Sequence, residues 1–376
     1  MAGSADVAGP PLPRQVLARM ITPIDFREIV SGRRQGTQAA LLRALLRSLE
    51  TPYAFATTVR NACYDGGILG IHSVDVPVVS VGNLTLGGTG KTPMVHWLSR
   101  WFQDRALRVA LISRGYKADR GKLNDEAKEL AEKIGDIPHL QNRHRVRAAL
   151  EAATKHRAQV ILLDDGFQHR RLHRDLDIVL VDALEPFGFD HIFPRGTLRE
   201  PLENIRRTDV VGLSRADAVT PDRLTAIRNR VRSLAPQATW FETVHLPYQL
   251  VRREQSTLPP TWLRGKSVAA FCGLGNPAGF QHTLVSCACR IAAFRELGDH
   301  HAYSESELES LRKWVSMQRP VEAVICTCKD LVKIGESELA GVPLYALDVR
   351  LQFRTGQSDL ESRLRTLVPR PHASAA

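Results

Sequence analysis

Residues 76–93 read Val-Pro-Val-Val-Ser-Val-Gly-Asn-Leu-Thr-Leu-Gly-Gly-Thr-Gly-Lys-Thr-Pro. Val76 to Val81 is a short apolar run and is expected to form a buried parallel strand. The chain then breaks at Gly82 into a turn-rich loop, and an amphipathic helix is expected from about Thr92. Strand, glycine loop ending in Gly-Lys-Thr, then helix is the order of a phosphate-binding loop. Its glycines let backbone N–H groups approach phosphate oxygens, and the helix N-terminus adds partial positive charge. Gly87, Gly88, Thr89 and Gly90 form the expected cradle, with Lys91 reaching the β/γ-phosphates and the Thr92 hydroxyl on Mg²⁺. ATP and Mg²⁺ are therefore the expected cofactors. The usual pattern places a glycine five residues before Gly90, where this chain has Thr85, and Gly87 and Gly88 supply the freedom instead. A plain surface turn would not need a strand before it and a helix after it.

Gln159-Val-Ile-Leu-Leu-Asp-Asp165 is the second signal. An apolar strand delivers Asp164 and Asp165 at its end, where two carboxylates are costly without a cation; such a pair holds Mg²⁺ in nucleotide enzymes. The bland alternative is a strand-terminating turn. Strands alternate with helices up to about residue 220, which implies an α/β P-loop core, 76–230, built on a mostly parallel sheet. Past Arg230 the helical pattern ends, and 231–263 reads as an irregular link and candidate hinge. A smaller C-terminal α/β unit, 264–368, follows, with strands over 267–272, 323–326 and 344–349 and a loop Gly273-Leu-Gly-Asn-Pro277. The polar extension 1–37 and the tail 369–376 are expected to be partly disordered.

Net charge is +11 with a pI near 9.6, so an anionic partner or surface is plausible on composition. Aromatic residues are few and are not interleaved with the basic ones, which argues against a nucleic-acid partner. The six cysteines lack zinc-finger spacing and read as free thiols of a reducing compartment. Neither a signal peptide nor an apolar stretch long enough to span a membrane is evident. Between Ala39 and Glu50, Leu41, Leu42, Leu45, Leu46 and Leu49 recur at helical spacing beside Arg43 and Arg47. Such a helix either packs on the protein's own core, the commoner fate of a leucine stripe, or lies in an anionic membrane interface. Three further features stay open. Asp125, after Asn124, either caps a helix or belongs to a site. Arg143, Arg145 and Arg147 either bind substrate anions or form a solvated face. Asp299-His-His301 offers either one catalytic histidine or a surface pair.

Taken together, these motifs resemble the bacterial tetraacyldisaccharide 4′-kinases, the lipid A 4′-kinase family. The likeness rests on Val81-Gly-Asn-Leu-Thr-Leu-Gly-Gly-Thr-Gly-Lys-Thr-Pro93, Ser113-Arg-Gly-Tyr116, Asp164-Asp-Gly-Phe-Gln-His169 and Gly275-Asn-Pro277. It runs from the helix near residue 40 to the strand near 349. The resemblance implies transfer of the γ-phosphate of ATP to the 4′-hydroxyl of a tetraacyldisaccharide 1-phosphate by a peripheral enzyme at the cytoplasmic face of the inner membrane. It also assigns the amphipathic segment, 38–75, to that membrane surface. It implies that Lys91 and Thr92 serve the phosphates and Mg²⁺, with Asp164, Asp165 and Glu200 near the metal. Asp125 would accept the sugar hydroxyl proton, supported by His300. Two positions depart from the family pattern: Asn124 stands where glycine is usual, and Cys328 replaces the glutamate in Thr327-Cys-Lys-Asp330. A soluble P-loop kinase for another sugar or nucleoside, or a regulatory ATPase, are the competing readings.

Overall fold

The computed structural model describes residues 23–115, 135, 137–254, 256–298, 301–318 and 320–368. Two helices precede the sheet, α1 (Pro23–Val30) and α2 (Thr37–Asp65). α2 carries the leucine stripe of 39–50 on through Pro52 and ends at Asp65, inside the expected segment 38–75; the carbonyl that Pro52 orphans is that of Ser48, which is exposed and open to water. Its leucines divide between two faces. Leu46 is buried and Leu42 partly buried against Ile29, Val30, Phe26 and Phe189. Leu41, Leu45 and Leu49 remain exposed, at 72%, 52% and 47%. The short α1 can cover only one narrow stripe of a helix, so the neighbouring stripe stays bare.

The first half of the sheet is built from β1 (Val78–Asn83), β2 (Val109–Ser113), β3 (His139–Gln141), β4 (Val160–Asp164), β5 (Leu176–Asp182) and β6 (Val210–Ser214), all paired in parallel. Every residue of β1, β2, β4, β5 and β6 is buried. That pattern suits strands covered on both faces. Parallel neighbours need crossovers, and α3 (Lys91–Gln103), α4 (Arg145–Thr154) and α5 (Pro221–Leu234) supply three of them or their flanks. β1 lies between β4 and β5, so the chain order reverses on either side of it. Crevices at such a point collect ligands at the strands' carboxyl ends.

The segment 231–263 is not irregular. It holds the end of α5 and then the 13-residue strand β7 (Thr239–Val251), with β8 (Thr257–Leu258) folding back on it. Pro247 obscures the strand in the sequence; the structure accommodates it beside a register shift against the partner strand. β7 pairs in parallel with β6 and antiparallel with β13 (Val342–Thr355), so one sheet runs through both halves. With β9 (Ser267–Cys272), β10 (Arg290–Glu296) and β11 (Ala323–Thr327), it has thirteen strands among the described residues, in the order β10-β9-β11-β13-β7-β6-β5-β1-β4-β2-β3 with β8 and β12 (Glu338–Leu339) at its margins.

The second half adds β9 (Ser267–Cys272), α6 (Pro277–Ser286), β10 (Arg290–Glu296), α7 (Glu305–Ser316), β11 (Ala323–Thr327) and the one-turn α8 (Cys328–Leu331). β9 alternates Val268, Ala270 and Cys272 into one core and Phe271 into the opposite one. β13 is longer than the expected 344–349. At 14 residues it spans about 46 Å and carries the chain back to the first half. There Phe353 meets Trp97 edge-on at 4.8 Å, and Leu360 and Leu364 of α9 (Gln357–Arg365) are fully buried with Val79, Leu98 and Phe102. The last residues of the expected C-terminal unit thus belong to the core of the first.

Candidate active site

The loop between β1 and α3 is shaped by two glycines. Gly90, the N-cap of α3, has φ 88°, in the left-handed region, and a Cβ there would come 2.8 Å from His245 Nε2. Gly87 has φ 114°, and a Cβ there would come 3.1 Å from the Gly275 carbonyl oxygen. Asn83, at the end of β1, braces the turn by donating from Nδ2 to the carbonyls of Thr85 (2.8 Å) and Gly87 (3.4 Å). The loop 192–200 pins it from outside: Leu86 N donates to Thr197 O and Arg199 N to Leu84 O, each at 2.7 Å. Thr89 Oγ1 is buried without a protein partner, a hydroxyl ready for a phosphate oxygen.

β1 and β4 are neighbours with Val81 opposite Asp164, which sets the carboxylate pair next to the phosphate loop. Lys91 Nζ lies 3.4 Å from Asp165 Oδ1. Arg199 Nη1 donates to both Asp165 oxygens, at 2.8 and 2.9 Å. Asp165 adopts φ 53°, and Arg145 secures that turn from beneath by donating to the main-chain carbonyls of Asp165 (2.9 Å) and Asp164 (3.3 Å). Burial would raise the Asp165 carboxyl, but Lys91, Arg199 and Arg145 together hold it well below the usual carboxylate range. Burial lowers the Arg145 guanidinium, and Asp165 and Asp164 oppose that shift. Of the arginine cluster, then, Arg145 is buried under the carboxylates while Arg143 and Arg147 are exposed.

Among the described residues no group of three or more His, Cys, Asp or Glu side chains gathers as a cation cage. Two carboxylates, a hydroxyl and the oxygens of a bound nucleotide are the usual surroundings of Mg²⁺, which retains waters and seldom occupies an all-protein cage. Asp164, Asp165 and Thr92 fit that requirement, because a carboxylate offers about four acceptor sites and the Arg199 bonds do not exhaust them. Glu200 stands differently. It is 0% exposed, and its two oxygens accept from Asn61 Nδ2, Gln168 Nε2, Asn204 Nδ2 and both Arg207 Nη atoms. In this geometry its carboxylate is committed to protein donors, and it reaches the Asp165 group through Gln168, which also accepts from Arg199 at 3.4 Å. Asp125, Asn124 and His300 lie outside the described residues.

The Gly273–Pro277 loop meets the site from the second half, and its support is buried. Asp330 accepts from Gly273 N (3.3 and 3.1 Å), Tyr303 OH (2.9 Å) and Thr327 Oγ1 (2.7 Å). Burial, then the Asp330 charge, pushes the Tyr303 hydroxyl far up, so it stays a donor. All six cysteines are free, and burial raises the Cys287 thiol to about 11.

The sequence profile of the tetraacyldisaccharide-1-P 4′-kinases matches residues 42–369. The chain belongs to the tetraacyldisaccharide 4′-kinase family. It is 36% identical over 352 residues to the tetraacyldisaccharide 4′-kinase of Anaeromyxobacter dehalogenans strain 2CP-C, covering 88% of this chain and 92% of that one. The corresponding enzyme of Halothermothrix orenii is 31% identical over 349 residues, covering 84% and 90%. In structure the chain is similar to the "apo" form of LpxK from Aquifex aeolicus in complex with ATP, with a TM-score of 0.64 at 27% identity, covering 87% of this chain and 99% of that one. As a member of this kinase family the chain is an ATP-dependent enzyme of lipid A biosynthesis with a P-loop NTPase fold.

Proposed function

We propose that this kinase works at the cytoplasmic surface of the inner membrane, with residues 87–92 holding the phosphates of ATP and α2 lying in the lipid interface. The observation that carries the site is the meeting of Lys91, at the start of α3, with Asp165, just past the carboxyl end of β4 beside β1. Lys91 draws charge from the β- and γ-oxygens, and backbone N–H groups of the glycine loop align the same phosphates. Thr92, Asp164 and Asp165 hold Mg²⁺, which when bound neutralises the charge developing on those oxygens. Arg199 and Arg145 keep Asp165 ionised and aimed. Glu200 orients Gln168 and Arg207, and a direct place at the metal would require it to exchange one of its present donors. Asp125 accepts the proton of the 4′-hydroxyl with His300 in support; both roles rest on the family resemblance. Phosphoryl transfer leaves the protein little covalent work, so alignment and charge supply most of the rate.

Membrane docking draws on α2. Leu41, Leu45, Leu49, Phe55 and Val59 are exposed and fall within a wedge of roughly 120° at about 100° per residue. Among the described residues no helix is long and apolar enough to cross a membrane. An amphipathic helix lying in the interface with the exposed Arg47 and Arg60 gains both apolar burial and attraction to anionic lipid. The β7–β13 seam, inside the 231–263 and 342–355 segments, is where relative movement of the two halves would hinge.

The reading is tested by transfer of radiolabelled γ-phosphate from MgATP to tetraacyldisaccharide 1-phosphate in mixed micelles. Labelled lipid, lost in Lys91→Ala, is the expected result; ATP hydrolysis without labelled lipid would shift the acceptor to another molecule.

A further inference from the structure

Arg215 follows β6 directly. It is 5% exposed and holds φ 53°, a left-handed conformation that a Cβ disfavours. Its guanidinium joins three elements. Nη2 donates to the Gly88 carbonyl of the phosphate loop at 2.6 Å, and Nη1 lies 3.2 Å from Asp182 Oδ2 at the end of β5. That same Asp182 oxygen accepts a hydrogen bond from Asn276 Nδ2. Asn276 Oδ1 in turn accepts from Gly279 N at 3.2 Å, capping α6 in the second half. The fit is close: a Cβ on Gly279 would come 2.2 Å from Arg215 Nε.

In a planar trans peptide the C=O of one residue and the N–H of the next point in opposite directions. Fixing the Gly88 carbonyl toward Arg215 therefore turns the Thr89 N–H away from Arg215, into the concave side of the loop where a phosphate oxygen would sit. Burying a guanidinium and a carboxylate is costly unless both are paired, and here the pairing is spent on one peptide of the phosphate loop. We propose that Arg215 is a positioning residue for the phosphoryl donor, and that Asp182 and Asn276 tie this orientation to the second half of the molecule. The proposal rests on residues 87–92 being the ATP phosphate site. Arg215 touches the loop from behind and not the nucleotide, so its removal should weaken MgATP and leave the lipid acceptor alone.

The test compares the full-length enzyme with Arg215→Ala, Arg215→Lys, Gly279→Ala and Lys91→Ala. Binding of MgATP is read by titration calorimetry, KM for ATP and for the acceptor by phosphoryl transfer, and Tm by scanning calorimetry. We expect Arg215→Ala and Gly279→Ala each to weaken MgATP by about tenfold or more, the loss of a charge-assisted bond, with KM for the acceptor unchanged. Arg215→Lys keeps the charge without the planar fork and should recover only part of that loss. Gly279→Ala alters no charged or polar side chain and improves helix propensity, so lower ATP affinity at an undiminished Tm would separate displacement of Arg215 from general damage. It also decides the matter if Arg215→Ala does not fold. Wild-type ATP affinity in Gly279→Ala overturns the proposal, as does a parallel rise in both KM values. If Lys91→Ala also binds MgATP normally, the phosphate-site reading itself fails; if only Lys91→Ala loses binding, the fault lies with Arg215 alone.

Discussion

Asp165 stands between opposed influences, since its burial favours the neutral acid while three cations favour the anion. The cations win, and the carboxyl is held well below the usual carboxylate range. Asp165→Asn preserves shape but leaves Lys91 and Arg199 facing a neutral amide. We expect turnover to fall about a hundredfold or more, the order of several kcal/mol of lost charge stabilisation. Steady-state kinetics beside ATP titration checks this, and an equal loss in ATP affinity would count against a role in the chemical step. His139 supplies a pH-dependent stability. Burial beside Ser113, whose Oγ is 2.9 Å from His139 Nε2, lowers the imidazole from 6.5 to about 4. Between those values the unfolded chain takes up a proton that the folded protein refuses, so stability falls as pH drops from 6.5 toward 4. His139→Gln should flatten this part of a plot of Tm against pH; an unchanged slope would show that other groups cause it.

At the scale of elements, α2 has to serve two surfaces. Its inner stripe, Leu42 and Leu46, packs on α1, and its outer wedge is bare. Serine at Leu41, Leu45 and Leu49 removes apolar area only from the outer side. The triple variant should keep the wild-type Tm and leave anionic vesicles in a flotation assay, whereas unchanged partitioning would dissociate α2 from the membrane. Leu46→Ser should instead lower Tm, because it opens the small core between the two helices. The glycine loop is constrained in a different manner. Gly90→Ala must abandon the left-handed conformation and also meets His245, so ATP binding should be lost even where the fold persists.

For the whole molecule, the single sheet matters more than the division into halves. β13 and α9 return to the first core, so the C-terminal residues stabilise the nucleotide-binding half. Leu360→Ala or Leu364→Ala should each cost about 2–5 kcal/mol, the usual range for opening a cavity in a packed core. Chemical denaturation measures this, and a loss below about 0.5 kcal/mol, the size of a surface substitution, would mean α9 is peripheral. The net charge of +11 has a consequence at the same scale. Vesicle binding should weaken as salt rises from low to physiological levels and beyond, because screening weakens the attraction of a positively charged protein to anionic lipid.

Chemistry that depends on neighbours in the chain was legible before any folding. Lys91, Thr92, Asp164 and Asp165 sit in contiguous motifs whose strand, turn and helix spacing places them with few alternatives. Arg145 was visible only as one of the cluster Arg143, Arg145 and Arg147, and Arg199 and Arg215 are two among 51 lysines and arginines; no spacing rule gives their roles, because they act on partners 19 to 127 residues away. Their choice was made by the packing of β4, β6 and the loop 192–200 around the phosphate loop. The same holds for β7. Pro247 is locally unfavourable to a strand, and pairing with β13, about a hundred residues on, overrides it. The leucines of α2 were visible as a stripe, but which of them face inward depends on a second helix, and periodicity alone cannot say how wide that helix is.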